Sequence, residues 1–252
     1  MITFEEELTI AINNELDKSE DIWNQVEGQL IKATRNFTAL NESYVPTKIP
    51  GYPFLKDGQG KVGDFIAFVL DIRNSTQHLL QRISEKTTSV SQLQRVFYET
   101  TAINTCGILI IKKYNGGITE FLGDGFLALF EAKKSEDVYS AHNAAKKCMS
   151  AVKDIVNPIL KKRYNLPDLE IGIGLAYSQA IVTLIGAENE VYPKAIGECV
   201  FRASKLSNGT NQILFDENLK LFWPKEKGGK LSFQQFVHKN SNAVKGYKAV
   251  SK

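Results

Sequence analysis

Residues 65–76 read FIAFVLDIRNST, and residues 118–130 read ITEFLGDGFLALF. In the first stretch, the unbroken apolar run Phe65–Leu70 ends abruptly at Asp71, the pattern of a strand buried on both faces. The second holds two short apolar runs, Ile118–Leu122 and Phe126–Phe130. Gly123-Asp124-Gly125 joins them, which is the turn chemistry of a tight antiparallel hairpin. Between the two stretches, Leu93, Val96, Thr100, Ile103, Gly107 and Ile110 recur at helical spacing. Beyond them Ala141, Ala145, Cys148, Val152, Ile155 and Ile159 predict a long helix that Pro158 kinks. Leu169–Ala176 and Ala180–Ile185 read as two further strands, residues 197–206 as a helix and Gln212–Phe215 as a short strand. Strands and helices in that order predict an α+β fold, an antiparallel-rich sheet with helices on one face.

Upstream, residues 3–40 read as one or two amphipathic helices, with Phe4, Leu8 and Ile12, then Ile22, Val26 and Leu30, on one face. Residues 41–63 hold three prolines and four glycines, a connector. The expected division is a helical extension and connector over residues 1–61 and one catalytic-type domain over 62–252. A chain of 252 residues with 43% apolar and 23% charged residues is globular in composition and long enough to bury a core. Its net charge of +3 excludes a strongly cationic nucleic-acid binder, though not a local phosphate pocket. No run of about 18 apolar residues is present for a membrane span, and the acidic start MITFEEELTI lacks a signal pattern. Cys106, Cys148 and Cys199 have no metal-site spacing and suit a reducing compartment, so a cytoplasmic location is expected. His78, His142 and His238 have no ligand spacing either.

Asp71 and Asp124 are the informative acids. If their strands are neighbours, the two carboxylates meet at one sheet edge and repel unless a cation lies between them. Hard oxygen donors of this kind suit Mg²⁺ or Mn²⁺ with substrate phosphates. Taken alone, the same residues also read as a helix cap before Asn74-Ser75-Thr76 and as a hairpin-turn residue.

The surroundings decide between these readings. FVLDIRNSTQHLL, followed some fifty residues later by ITEFLGDGFLALF, resembles the two metal motifs of class III nucleotidyl cyclases. LEIGIGLAYSQAIVTLIG resembles the family's central hairpin, YPKAIGECVFRASKLSN its next strand-to-helix segment, and AVKGYKAV its final, lysine-bearing strand. The resemblance covers residues 62–252 and implies a ferredoxin-like class III cyclase domain. Carried over by position, Asp71, Asp124 and the backbone carbonyl of Ile72 would hold two Mn²⁺ or Mg²⁺ ions. Such ions clamp both ends of an in-line displacement on a nucleoside triphosphate. Arg73-Asn74-Ser75-Thr76 would open a helix whose free N–H groups face phosphate, and Lys245 would reach the same phosphates. The family also implies a homodimer, with Asp71 and Asp124 of one chain facing Glu120, Lys194 and Lys205 of the other.

Departures from the family pattern bear on the substrate. Adenylate cyclases have a lysine at the position of Glu120 and an aspartate at that of Lys194, so acceptor and donor have changed places. The swapped pair suits a ring N–H beside a carbonyl, which guanine and uracil present and adenine and cytosine do not; it also reads as a plain intramolecular ion pair. The family's asparagine and arginine on the following helix are replaced by Phe201 and Lys205, with Arg202 adjacent. Phe201 either narrows the pocket or belongs to the core, and Lys205 keeps the charge without the planar fork. A chain with a short helical lead and no sensor resembles the pyrimidine cyclases of bacterial Pycsar anti-phage systems. That resemblance implies a uridylate cyclase whose cyclic UMP activates a separate effector. Guanylate and cytidylate cyclases and a catalytically silent nucleotide-binding relative are the other readings. Tyr44 and Tyr52 are candidates to stack on the base.

Overall fold

The computed structural model describes residues 2–26, 45–56, 58–75, 90–187, 190–225, 231–236 and 244–251. Helix α1 spans Phe4–Val26 and is followed by a small pairing of β1 (Val45–Pro46) with β2 (Phe54–Leu55). Then come β3 (Lys61–Ile72), α2 (Gln92–Lys113), β4 (Gly117–Leu122) and β5 (Gly125–Glu131). Helix α3 (Val138–Ala151) continues through a π turn at Val152–Val156 into α4 (Asn157–Tyr164). The chain proceeds as β6 (Ile171–Ala187), β7 (Glu190–Gly197), α5 (Glu198–Leu206), β8 (Gln212–Phe215), α6 (Glu217–Phe222), β9 (Leu231–Phe236) and β10 (Gly246–Ser251).

The main sheet runs β4-β5-β3-β6-β8-β10-β9, with β7 paired to the far end of β6. All pairings are antiparallel except β6 with β8. The α+β class and antiparallel-rich sheet expected from the sequence are therefore present. Strand β3 is central, and both of its faces are covered, so its apolar run is continuous. Ile66, Phe68, Leu70 and Ile72 join a core with Leu8, Ile12 and Leu16 of α1, Ile103 and Ile110 of α2, and Ala141 and Cys148 of α3. Phe65, Ala67 and Val69 point the other way, into a second core with Leu127 and Leu129 of β5, Cys199 and Ala203 of α5, and Ile49 and Leu55 of the connector. The main helices cover one face; the short α5 and the connector cover the other.

Several local expectations change. The two strands read at Leu169–Ala176 and Ala180–Ile185 are one 17-residue strand, and its hairpin partner is β7. The connector is not bare loop: it contains β1 and β2, and Lys61–Gly63 already belong to β3. On α2 the expected stripe is buried at Ile103, Gly107 and Ile110, but the buried face is wider and leaves the first turn out. Leu93 is 51% exposed, while Tyr98, Ala102, Ile103, Cys106 and Ile110 are buried. The cause is α1, which packs along α2 and buries a flank that a sheet alone leaves open. That flank includes an ion pair, Arg95 Nε to Glu99 Oε1 at 2.7 Å, with both side chains buried. Arg163 and Tyr164 of α4 both bond Glu20, fixing α1 from its other side. Pro158 lies in the first turn of α4, and the π turn before it absorbs the lost N–H. Ile22 and Val26 fall among side chains outside the description, as do Leu30, Tyr44, His78 and His238. Among the described residues no helix is long and apolar enough to cross a membrane.

Gly107 shows how the helical layer positions the hairpin. It is buried in mid-α2, and a Cβ there would lie 2.3 Å from Cε1 of Phe126, a ring with no exposure that stacks on Phe68 at 5.8 Å. Phe126 follows the Gly123–Gly125 turn directly. Gly107→Ala gains about 1 kcal/mol in helix propensity, yet overpacking costs about 1–3 kcal/mol. Urea unfolding should show a lower midpoint for this variant; a higher one would mean that the ring and helix separate easily.

Candidate functional site

Backbone pairing brings the two strand-end acids together. Asp71 is opposite Gly125 in the β3–β5 ladder, and Ile72 donates its N–H to the Asp124 carbonyl at 3.0 Å. The approach is close: a Cβ on Gly125 would lie 2.0 Å from the Leu70 carbonyl oxygen, so only glycine fits beside Asp124. Past Ile72 the chain turns through Arg73 and Asn74, the latter at φ 57°, and Ser75 begins helical backbone. Thr76 and the rest of the expected phosphate-facing turn lie outside the described residues. Ser75 Oγ donates to Asp124 Oδ2, and the Arg73 guanidinium pairs with Asp71 Oδ2. Burial draws the Arg73 pKa down, and the nearby Asp124 charge opposes that shift.

These residues can hold a hard cation. Among the described residues no group of three or more His, Cys, Asp or Glu side chains could enclose a metal. The donors are two carboxylates and backbone carbonyls, the sparse oxygen set that leaves Mg²⁺ or Mn²⁺ free to take substrate phosphates. A guanidinium already lies against Asp71 and close to Asp124, so the pair of acids is balanced by positive charge in this conformation. The donor set therefore fits a divalent ion.

Glu120 and Lys194 form a second group. Lys194 Nζ lies 2.8 Å from Glu120 Oε2, with about a third of each side chain exposed. The sheet order puts β5, β3 and β6 between their strands. Their contact therefore requires the β6–β7 hairpin to fold back across the second face of the sheet, where Val182 and Leu184 join the core. Along this arm Ile181, Ile185, Tyr192 and Ile196 are exposed, as is Phe121 beside Glu120. Lys194 thus sits in an apolar, open surface.

The third group lies on α5 and β10. Phe201, Arg202 and Glu198 line a cavity of about 480 Å³ with Glu217, Val244 and Lys245. Phe201 is 60% exposed, which removes the reading of it as a core residue. Lys205 is not a lining residue; its Nζ lies 5.6 Å from the centre of the Phe201 ring. The cation beside Lys245 is Arg202, whose Nη2 is 2.8 Å from Glu198 Oε2 and whose Nη1 is 3.7 Å from Asp216 Oδ2. Asp216 was not singled out from the sequence, although an acid between an apolar strand and a helix is an N-cap signature. It has no exposure, and its Oδ1 accepts from the N–H groups of Leu219 and Tyr177. Its Oδ2 is buried without a hydrogen-bond partner. Burial pushes the Asp216 carboxyl up to about 6, against those N–H bonds and the Arg202 charge.

Asp71 and the third group cannot meet within one chain. Asp71 is level with Gly172 and Gln212, whereas Tyr247 is level with Phe215. Lys245 is therefore three strands across the sheet and about five residues along it, roughly 20 Å away at sheet spacings.

No protein-family model and no curated protein matches the chain. Solved structures do. The guanylyl cyclase Cya2 aligns at TM-score 0.60 and 20% identity, covering 76% of this chain and 94% of its own. The adenylyl cyclase CyaB from P. aeruginosa aligns at TM-score 0.58 and 19% identity, covering 77% and 97%. The guanylate cyclase domain of RhGC from Catenaria anguillulae, in complex with GTP, aligns at TM-score 0.52 and 19% identity, covering 76% and 99%. The chain has the fold of class III cyclase catalytic domains.

The Asp216 environment sets a pH dependence. Its folded pKa lies above the unfolded value of 3.8, so between about pH 4 and 6 the folded state keeps a proton that the unfolded state has lost. Stability from this group is present below that window and declines as pH rises through it. Asp216→Asn retains the capping oxygen and removes the charge. Its melting temperature at pH 7.5 should equal or exceed wild type, and its stability should change less between pH 4 and 6. A large loss of stability at pH 7.5 would contradict the assigned environment.

Proposed function

We propose that this protein is a metal-dependent nucleotidyl cyclase that works as a homodimer and prefers UTP, forming 3′,5′-cyclic UMP and diphosphate. The observation that carries the reading is the backbone-enforced juxtaposition of Asp71 and Asp124 on a class III cyclase fold. Bound at those acids and the Ile72 carbonyl, two Mn²⁺ or Mg²⁺ ions would supply Lewis-acid activation of the ribose 3′-hydroxyl and charge neutralisation at the triphosphate. In this reading Asp71 and Asp124 would hold the metal, which would supply the positive charge that Arg73 supplies in this conformation. Asn74, Ser75 and Thr76 offer polar groups at a helix start to the phosphates.

The remaining contacts come from the partner chain. Lys245 is too far from Asp71 in its own chain, and Arg202 shares the Lys245 cavity, so a site that uses both groups needs two copies. Ile181, Ile185, Tyr192 and Ile196 of the β6–β7 arm are paired across the two strands and exposed, apolar surface of the kind that dimerisation buries. On the phosphates Arg202 and Lys245 balance charge as diphosphate leaves, with Lys205 at the rim.

Glu120 and Lys194 read the base. A partly exposed ion pair is worth about 0–1 kcal/mol, so a base edge can part it and take one hydrogen bond from each side chain. Glu120 accepts from a ring N–H and Lys194 donates to a carbonyl, the edge of uracil. Phe201 at the cavity rim favours the smaller ring, and Tyr52 remains a stacking candidate. Guanine presents the same edge, and a guanylate cyclase is therefore the second reading. We take cyclic UMP as a second messenger in anti-phage defence, acting on a separately encoded effector.

Incubation with each of the four nucleoside triphosphates and Mn²⁺ should yield mainly cyclic UMP. Once the base covers Glu120 and Lys194, a polar group left unpaired costs about 1–3 kcal/mol, so two mismatches should disfavour ATP about a hundredfold. A preference for GTP would overturn the pyrimidine reading, and a preference for ATP the base-edge argument. Asp71→Ala and Asp124→Ala should each lower turnover at least about a hundredfold. Near-normal turnover in either variant would refute the metal assignment.

Mixing inactive Asp71→Ala chains with inactive Arg202→Ala chains should restore part of the activity, because mixed dimers contain one intact composite site. No rescue, with heterodimers demonstrated by native mass spectrometry, would contradict shared sites.

A further inference from the structure

We infer that Asp216 is a positioning residue that fixes Arg202 in the cavity it shares with Lys245, so that Arg202 supplies the guanidinium for the substrate phosphates. The inference rests on the cyclase reading and assigns within it a role to a carboxylate that faces no substrate. Three observations carry it. Asp216 Oδ1 is committed to capping α6 through Leu219 and to the Tyr177 N–H, which locks the carboxylate plane. Oδ2 then has no hydrogen-bond partner and lies 3.7 Å from Arg202 Nη1. Arg202 is held at its other nitrogen by Glu198, whose side chain is 69% exposed.

The two acids differ in how readily they let go. Glu198 is solvated, and its pair with Arg202 is a weak surface i,i+4 contact. A phosphate entering the cavity displaces it at little cost. Asp216 has no solvent to turn to, and losing Arg202 would leave a buried charge uncompensated. When phosphate arrives, Arg202 therefore keeps Nη1 on Asp216 and exchanges Glu198 for phosphate at Nη2. Only a planar fork does both at once. The lysine at 205 carries one ammonium and borders Phe201.

The test is a double-mutant cycle on the full-length protein with Asp216→Asn, Arg202→Ala and the combination. For each, turnover of UTP with Mn²⁺ and the affinity for a non-cyclisable UTP analogue are measured by product assay and calorimetry. Asp216→Asn should lower kcat about 10- to 100-fold while its melting temperature stays at or above wild type. That split separates positioning from a structural role, in which activity and stability fall together. In the Arg202→Ala background the Asp216 substitution should cost nothing further, in turnover or in affinity. Wild-type kcat in Asp216→Asn, or an additive loss in the double variant, would overturn the inference. If wild type binds the analogue yet cyclises no triphosphate, the cyclase reading fails, and the cycle in affinity still decides the role of Asp216. If wild type does not bind the analogue, both fall.

Discussion

The antiparallel contact between β3 and β5 is the constraint on which the rest of the structure depends. It holds Asp71 level with Gly125 and ties Ile72 to the Asp124 carbonyl, so two carboxylates are placed side by side by backbone hydrogen bonds rather than by their own preference. Like charges so placed demand a cation. The fold meets that demand with the Arg73 guanidinium in this conformation, and a divalent ion is the natural alternative. Everything behind the hairpin serves to keep it there. Phe126 is seated against Gly107 and Phe68, and α2 is pinned in turn by α1.

The same sheet that brings the acids together keeps Lys245 away from them. The seven-strand path places Lys245, just before β10, toward the other end and three strands away from β3, and Arg202 shares its cavity. A single chain therefore carries two groups of different chemistry, the Asp71–Asp124 hairpin and a cavity where Arg202 and Lys245 sit among Glu198 and Glu217, with Lys245 roughly 20 Å from Asp71. The β6–β7 arm adds a third, the Glu120–Lys194 pair set in exposed apolar surface. Such a distribution has an economical explanation if two copies meet face to face, each completing the other.

Much of this was legible in the residues. The β3 run was readable because a strand covered on both faces has no polar side to break its pattern, and the Gly-Asp-Gly turn because few residue types suit a two-residue hairpin. The β6–β7 arm was not. Tyr177, Ser178 and Gln179 interrupt the apolar run, and the reason is tertiary: Ser178 Oγ accepts from the Cys199 N–H at 2.9 Å and serves the start of α5. The polar gap that splits the pattern is a contact to another element. On α2 the stripe Ile103, Gly107 and Ile110 was legible, but the second buried flank was not, since a helix cannot announce that another helix will lie along it.

What the sequence determined by itself was local: strand and helix type from apolar spacing, the hairpin turn, and the two acids at strand ends. Tertiary structure alone decided which side chains share a space. It paired Glu120 with Lys194 across three intervening strands. It put Arg202 rather than Lys205 beside Lys245, and it buried Asp216 behind that arginine with one oxygen unmatched. The physical reason is that backbone preference and burial pattern act over a few residues and leave their mark in sequence spacing. Ion pairs and cavities, by contrast, form between segments that only sheet register and packing bring together.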